Sequence, residues 1–302
     1  MAEGHDRESL VEDAIVEKWK REQIELKKKL VCNDCIIWGK STSNPFSNLS
    51  LIGGVDISFV KDDPDHACAC LVVLSFPELE VLYEDLTLVH LKLPYIPEFL
   101  AFREVGFLVE AVSKLKNHEP LLLPQIILVD GNGMLHPRGF GIASHLGVLT
   151  DIPTVGVAKT LFNVDGIEKD SKHADQINNC LKSNGDSFPL VGDSGTIWGK
   201  ALRSTQQSHN PIYISVGHKI GLETAVSLVH ATCWFRIPEP IRQADKRSRK
   251  YLKQHYPKEL ETCSCRMQND ERNPQKEHDD PEKEGQDLVH DSCRNFDHLN
   301  IS

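Results

Sequence analysis

Asp130 closes the apolar run Ile126-Ile127-Leu128-Val129 and opens the loop Gly131-Asn132-Gly133. A continuous apolar run bounded by glycine predicts a strand buried on both faces, in the middle of an α/β sheet. The carboxyl end of such a strand is where open α/β sheets hold their ligands. A carboxylate there is costly unless a cation compensates it, and a divalent metal ion is the simplest compensation. Asp56 is misplaced in the same way, inside the strand-like segment Gly54-Val55-Asp56-Ile57-Ser58-Phe59-Val60. Glu104 falls on a helical stripe with Leu100, Phe107, Leu108, Ala111 and Leu115. Asp245 shares a helix face with Ile241, Ser248 and Leu252, although Lys246-Arg247 could pair with it. Any one of these acids could be half of a structural ion pair. Asp56, Glu104 and Asp130 in neighbouring elements point instead to a shared site. Oxygen donors clustered without His or Cys favour Mg²⁺, with Mn²⁺ able to substitute, over zinc. Such ions suit hydrolytic phosphoryl transfer, one activating the attacking water while another stabilises the leaving oxygen.

The elements that must position these acids are legible from periodicity. Residues 9–31 have helical spacing, with Ala14, Trp19 and Ile24 among charges. Strands are expected at 54–60, 67–76 and 80–90, the first two forming an antiparallel hairpin through Lys61-Asp62-Asp63-Pro64-Asp65. A helix over 97–117, the strand ending at Asp130, a short helix over 139–147 and a strand over 154–158 follow. Further strands are expected at 188–191, 197–203 and 211–216, then helices over 222–233 and 238–255. The order predicts one mixed α/β sheet with helices on its faces.

Composition bounds the rest. The 302 residues are 40% hydrophobic and 26% charged, ordinary for a soluble protein. The polar start reads as neither a secretory signal nor a transit peptide, and no apolar stretch approaches a membrane span. Nine scattered cysteines suit free thiols in a reducing compartment, so the cytoplasm and nucleus are the expected locations. The net charge of −10 is uneven: residues 257–302 carry 6 Lys and Arg against 12 Asp and Glu, leaving −4 for residues 1–256. That acidic, polar segment is expected to be a disordered tail behind a single folded domain of residues 1–256. Cys32-x-x-Cys35 and Cys263-x-Cys265 lack the spacing of a zinc site, and Cys68 and Cys70 read as core packing. Lys200, Arg203, His218 and Lys219 are scattered candidates for phosphate contacts.

Three strands with an acid in the first, a helix bearing Glu104, then a strand ending in Asp130 resemble the ribonuclease H-like fold. More closely, Gly53-Gly54-Val55-Asp56, Pro94-Tyr95-Ile96-Pro97, Phe102-Arg103-Glu104, Asp130-Gly131-Asn132-Gly133, His136-Pro137-Arg138 and Gly156-Val157-Ala158-Lys159 resemble endonuclease V. The resemblance covers roughly residues 15–250. It implies a Mg²⁺-dependent endonuclease that recognises inosine and hydrolyses the second phosphodiester bond 3′ to it. The implied substrate is mainly inosine-containing single-stranded RNA, as in animal members, with no role for a membrane. The alternatives are repair of deoxyinosine-containing DNA, or inosine binding without cleavage. The same resemblance implies metal-binding roles for Asp56, Glu104, Asp130 and Asp245, and a catalytic-site role for Lys159. Pro94-Tyr95-Ile96-Pro97 would be a wedge beside the target base. Leu100, Gly131, Gly133 and Ile142 would line the pocket for the base turned out of its stack. There the glycines would bring backbone groups close to the hypoxanthine edge. His136 and Arg138 would contact phosphate or support Asp130.

Overall fold

The computed structural model describes residues 2–39, 41, 44–93, 96 and 98–256. The acidic tail and three of the wedge residues, Pro94, Tyr95 and Pro97, lie outside the described residues. Helix α1 (Ala2–Lys27) precedes β1 (Leu51–Val60), β2 (Asp63–Ser75) and β3 (Val81–His90). Then come α2 (Leu100–His118), β4 (Ile126–Asp130), α3 (Ile142–Thr150) and β5 (Thr154–Ala158). The chain continues through α4 (Ser171–Cys180), β6 (Ser187–Val191), β7 (Ile197–Leu202) and β8 (Ile212–His218). Helices α5 (Leu222–Ala231) and α6 (Glu239–His255) complete it. Among the described residues no helix is long and apolar enough to cross a membrane.

The strands form one eight-stranded sheet in the order β3-β2-β1-β4-β5-β8-β7-β6. The predicted hairpin is present, tightened to a turn at Lys61-Asp62 with Asp62 in a left-handed conformation (φ 63°). β1 pairs antiparallel with β2 but parallel with β4, which pairs parallel with β5. The ends of β4 and β5 are therefore brought level beside Asp56 of β1. Ile126, Ile127, Leu128 and Val129 of β4 are fully buried, as the continuous apolar run predicts. One core layer packs Val55, Ile127 and Val129 against Val105, Leu108 and Leu115 of α2. The other packs Ile52, Ile126, Leu128 and Val155 against Leu228 of α5 and Ile241 of α6. The mixed α/β class and the ribonuclease H-like order of the first five strands stand.

Gly54 explains the seating of α6 on β1. A Cβ at this position would lie 2.1 Å from the Pro240 carbonyl oxygen, so no larger residue lets the first turn of α6 approach. Several expectations need correction. α1 buries Trp19, Gln23 and Leu26, whereas Ala14 and Ile24 are exposed. On α2 the buried face runs through Ala101, Glu104, Val105, Leu108, Ala111, Val112 and Leu115; Leu100 is exposed and Phe107 only half-buried. Helix α4 was not anticipated, because SKHADQINNC offers almost no apolar stripe. Its sequence signal is the cap, where the Asp170 carboxylate accepts the His173 N–H at 2.8 Å.

Candidate active site

Asp56, Glu104 and Asp130 lie within electrostatic reach of one another around the carboxyl end of β4. Asp56 and Glu104 are both 7% exposed. Burial, and after it the neighbouring Asp130 carboxylate, push the Asp56 pKa up to about 7. Glu104 is also raised to about 7, mainly by burial; Arg103 opposes the shift, and Asp56 and Asp130 add to it. Asp130 disfavours the charge of both Asp56 and Glu104, an arrangement that a cation would relieve. Ser58, two residues along β1 and on the same face, donates from Oγ to Asp56 Oδ2 at 2.8 Å. Ser248 of α6 approaches Ser58 Oγ at 2.7 Å and the same carboxylate oxygen at 3.1 Å. Asp56 is thereby fixed in rotamer before any ligand arrives.

Lys159 follows β5 directly, and its Nζ lies 2.7 Å from Asp130 Oδ2. Burial pulls the Lys159 pKa down, but Asp130 first, then Asp245 and Asp56, outweigh it and hold the ammonium above its ordinary range. Asp245 of α6 adds its field to Asp56 while its own carboxylate pairs with Arg249 Nε at 2.8 Å. Of the two cations expected as alternative partners, Arg247 binds Glu84 instead. Asp245 therefore stands at the margin, half-buried, with an exposed arginine as partner.

The model of the endonuclease V family matches residues 38–246. The chain belongs to the endonuclease V family. Endonuclease V of Mus musculus is 58% identical over 235 residues, covering 78% of this chain and 69% of the relative. The Homo sapiens protein is 57% identical, covering 78% and 82%. The solved catalytic domain of human endonuclease V superposes with a TM-score of 0.78 at 55% identity, covering 80% of this chain and 98% of that one. Ciona intestinalis endonuclease V has been solved with a 24mer DNA containing an inosine followed by a ribo-adenosine. It superposes with a TM-score of 0.72 at 38% identity, covering 80% and 99%.

The donor set fits a hard divalent cation. All donors are carboxylate oxygens, and the Lys159 ammonium already occupies the position of a compensating charge at Asp130. Among the described residues no three His, Cys, Asp or Glu side chains already converge to hold a metal ion.

The endonuclease V loop after Asp130 is only partly as expected. Gly131 (φ 141°) lies under Ile142, whose Cγ2 would stand 2.7 Å from a Cβ there, so these two pocket candidates do meet. Gly133 does not have free backbone groups: its N–H donates to Ser215 Oγ at 2.9 Å and its carbonyl accepts from Gly141 N–H at 2.9 Å. Its lack of a side chain serves packing against the Val216 carbonyl, so the expectation that it reads a base edge directly is corrected. The unexpected group is Asn132, whose side-chain Oδ1 is buried without a partner. Leu100 opens α2, exposed to solvent, and Ile96 is half-buried.

His136 and Arg138 divide. Arg138 is drawn toward α1: its Nε donates to Gln23 Oε1, its carbonyl accepts from Lys27 Nζ at 2.7 Å, and its guanidinium covers Phe99 at 5.1 Å. It serves helix docking, not Asp130. His136 is buried, which lowers its pKa to about 4. Its Nδ1 accepts the Arg138 N–H at 3.2 Å, leaving the proton on Nε2. The scattered basic candidates are also committed within the fold. Lys200 pairs with Glu223 at 2.6 Å and Lys219 with Asp151 at 2.6 Å, Arg203 donates to the carbonyls of Leu181, Lys182 and Gln206, and His218 is buried.

Proposed function

We propose that this chain is a Mg²⁺-dependent endonuclease, also served by Mn²⁺, that recognises inosine and hydrolyses the second phosphodiester bond 3′ to it, mainly in single-stranded RNA. The observation that carries the reading is the close set of Asp56, Glu104 and Asp130, two of them with pKa values raised to about 7, beside the Lys159 ammonium. Asp56, Glu104 and Asp130, with Asp245 at the margin, would hold the metal, which when bound supplies Lewis acidity and a more acidic water. Lys159 pairs with Asp130 and places a positive charge where the scissile phosphate would enter. Ser58 and Ser248 orient Asp56. A substrate phosphate entering here finds prearranged charge, the arrangement through which phosphoryl transfer is chiefly accelerated.

Gly131 and Ile142, with the unpartnered Oδ1 of Asn132, fit one wall of a pocket for an extruded purine. An acceptor there matches the N1–H of hypoxanthine and not the bare N1 of adenine. The Ciona relative was solved on a strand with ribose directly after the inosine, which supports the RNA reading. Free thiols at Cys32, Cys35, Cys68, Cys70, Cys180 and Cys233 suit action in the cytoplasm and nucleus.

The test uses matched single-stranded RNA and DNA oligonucleotides, each with one inosine, incubated with Mg²⁺ or with chelator. Cutting of the RNA at the second bond 3′ to inosine, faster than the DNA and only with metal, is expected. Failure to cut either strand removes the enzymatic reading, and faster cutting of DNA removes the RNA preference.

A further inference from the structure

Between α5 and α6 the chain presents two large aromatic side chains to solvent: Trp234 is 57% exposed and Phe235 is 55% exposed. The loop carrying them is firmly held. Arg236 donates to the carbonyls of Lys159 (2.7 Å), Pro211 (3.0 Å) and Asn210 (3.1 Å), and its own carbonyl accepts from Ser204 Oγ at 2.7 Å. The Glu239 N–H closes the loop onto the Thr232 carbonyl at 2.8 Å. Two exposed rings on a fixed loop are prepared for a contact, since holding them rigid in water gains nothing for the fold.

Both anchors of the loop lead to the carboxylate site. Arg236 grips the backbone of Lys159, the residue whose ammonium pairs with Asp130. On the other side the Arg242 guanidinium lies 4.5 Å over the Phe235 ring, and Arg242 stands one turn before Asp245 on α6. Arg242 is locked in place by two bonds of 2.6 Å to the buried Glu239 carboxylate. The ring and guanidinium thus form a flat, stiff stack beside the place where a strand must cross the acids. Aromatic faces bordered by cations fit a single-stranded nucleic acid, whose bases stack while its phosphates meet the charges. An apolar protein partner would not require this continuity with the catalytic acids.

We propose that Trp234 and Phe235, the latter stiffened by Arg242, form a stacking platform for bases flanking the scissile phosphate of a single-stranded substrate. This rests on the nuclease function proposed above. Binding is measured with the full chain carrying Asp130→Asn, on a single-stranded inosine RNA and on the same RNA with one flanking base at a time removed to leave its sugar and phosphate. Trp234→Ala and Phe235→Ala should each weaken binding about 5- to 150-fold, the range expected for loss of one stacked base. In the cleaving protein they should raise KM and leave kcat nearly unchanged, and Phe235→Tyr should restore wild-type KM. Removing the stacked base should cost the parent protein the same factor and cost the corresponding Ala variant nothing further. If the Ala variants, with unchanged melting, bind within about two-fold of the parent while the wild-type chain cuts inosine RNA, the platform is wrong and the nuclease reading stands. Losses that add fully to every base removal also overturn the platform, and assign the rings to another partner. If the wild-type chain neither binds nor cuts inosine RNA, both proposals fall.

Discussion

Asp56 and Glu239 are both carboxylates withdrawn from water, at 7% and 1% exposure, yet their surroundings are opposite. Glu239 is fully answered: Arg242 grips it through two bonds of 2.6 Å and Gln243 Nε2 adds a third of 2.6 Å. Asp56 receives hydroxyls from Ser58 and Ser248, but the charge that acts on it most strongly is another carboxylate, Asp130. The first arrangement completes its own electrostatics and holds the start of α6. The second leaves them incomplete, and its completion requires something from outside the chain. The contrast separates a structural buried acid from a functional one more clearly than burial alone.

Removing charge from the incomplete side should be most visible in activity. Asp130→Asn should lower cleavage by about 10²–10³-fold or more while inosine RNA still binds, as single-turnover cleavage and a binding assay would show. Near-wild-type cleavage would take Asp130 out of the site. Glu239→Gln should instead lower stability by about 2–3 kcal/mol, because it leaves Arg242 without its counter-charge in a part-buried place. Denaturant unfolding measures this, and cleavage per folded molecule should stay within a few-fold.

A smaller effect follows from pH. The folded pKa values of Asp56 and Glu104 lie near 7, above those of an unfolded carboxylate. The folded chain therefore binds these protons more tightly, so their contribution favours folding at low pH and is lost as pH rises through about 7. The metal-free protein should lose about 1 kcal/mol per carboxylate between pH 6.5 and 8, with Mg²⁺ restoring stability most at the upper end. Below about pH 6.5 the buried His136 and His145, both lowered to about 4, act in the opposite sense and offset the two carboxylates, so the pH dependence flattens there. A melting temperature that rises with pH across 6.5–8 without metal would contradict the description of these acids. Least of all, Ser248→Ala should cost about 1 kcal/mol and leave cleavage within about ten-fold, since Ser58 still holds Asp56.

The sequence carried the part of this contrast that depends on misplacement. Asp56 in a strand and Glu104 on an apolar stripe break their local patterns, and so does Asp130 at a buried strand end; in the structure the charge of Asp130 acts on both of the others. Glu239 was missed because a glutamate in the first turn of a helix is ordinary, and its burial arises from the approach of α6 to β1 at Gly54. Helix α4 escaped because its stability comes from its cap and its docking, through His173 to Tyr213 at 2.9 Å, not from an apolar stripe. The roles of Gly133 and Arg138 were hidden for a similar reason. Their partners, Ser215 and Gln23, lie far away in the chain, and no spacing rule reports a tertiary hydrogen bond.

The most direct test of the contrast is the melting temperature of Asp56→Asn beside that of Glu239→Gln, at pH 8 in chelator. The account predicts opposite signs: Asp56→Asn melts above the wild-type chain, because a neutral amide escapes the cost of a buried, repelled charge, and Glu239→Gln melts below it. If Asp56→Asn melts below the wild type, as Glu239→Gln does, then Asp56 is a satisfied structural acid and the incomplete electrostatics ascribed to the site are absent.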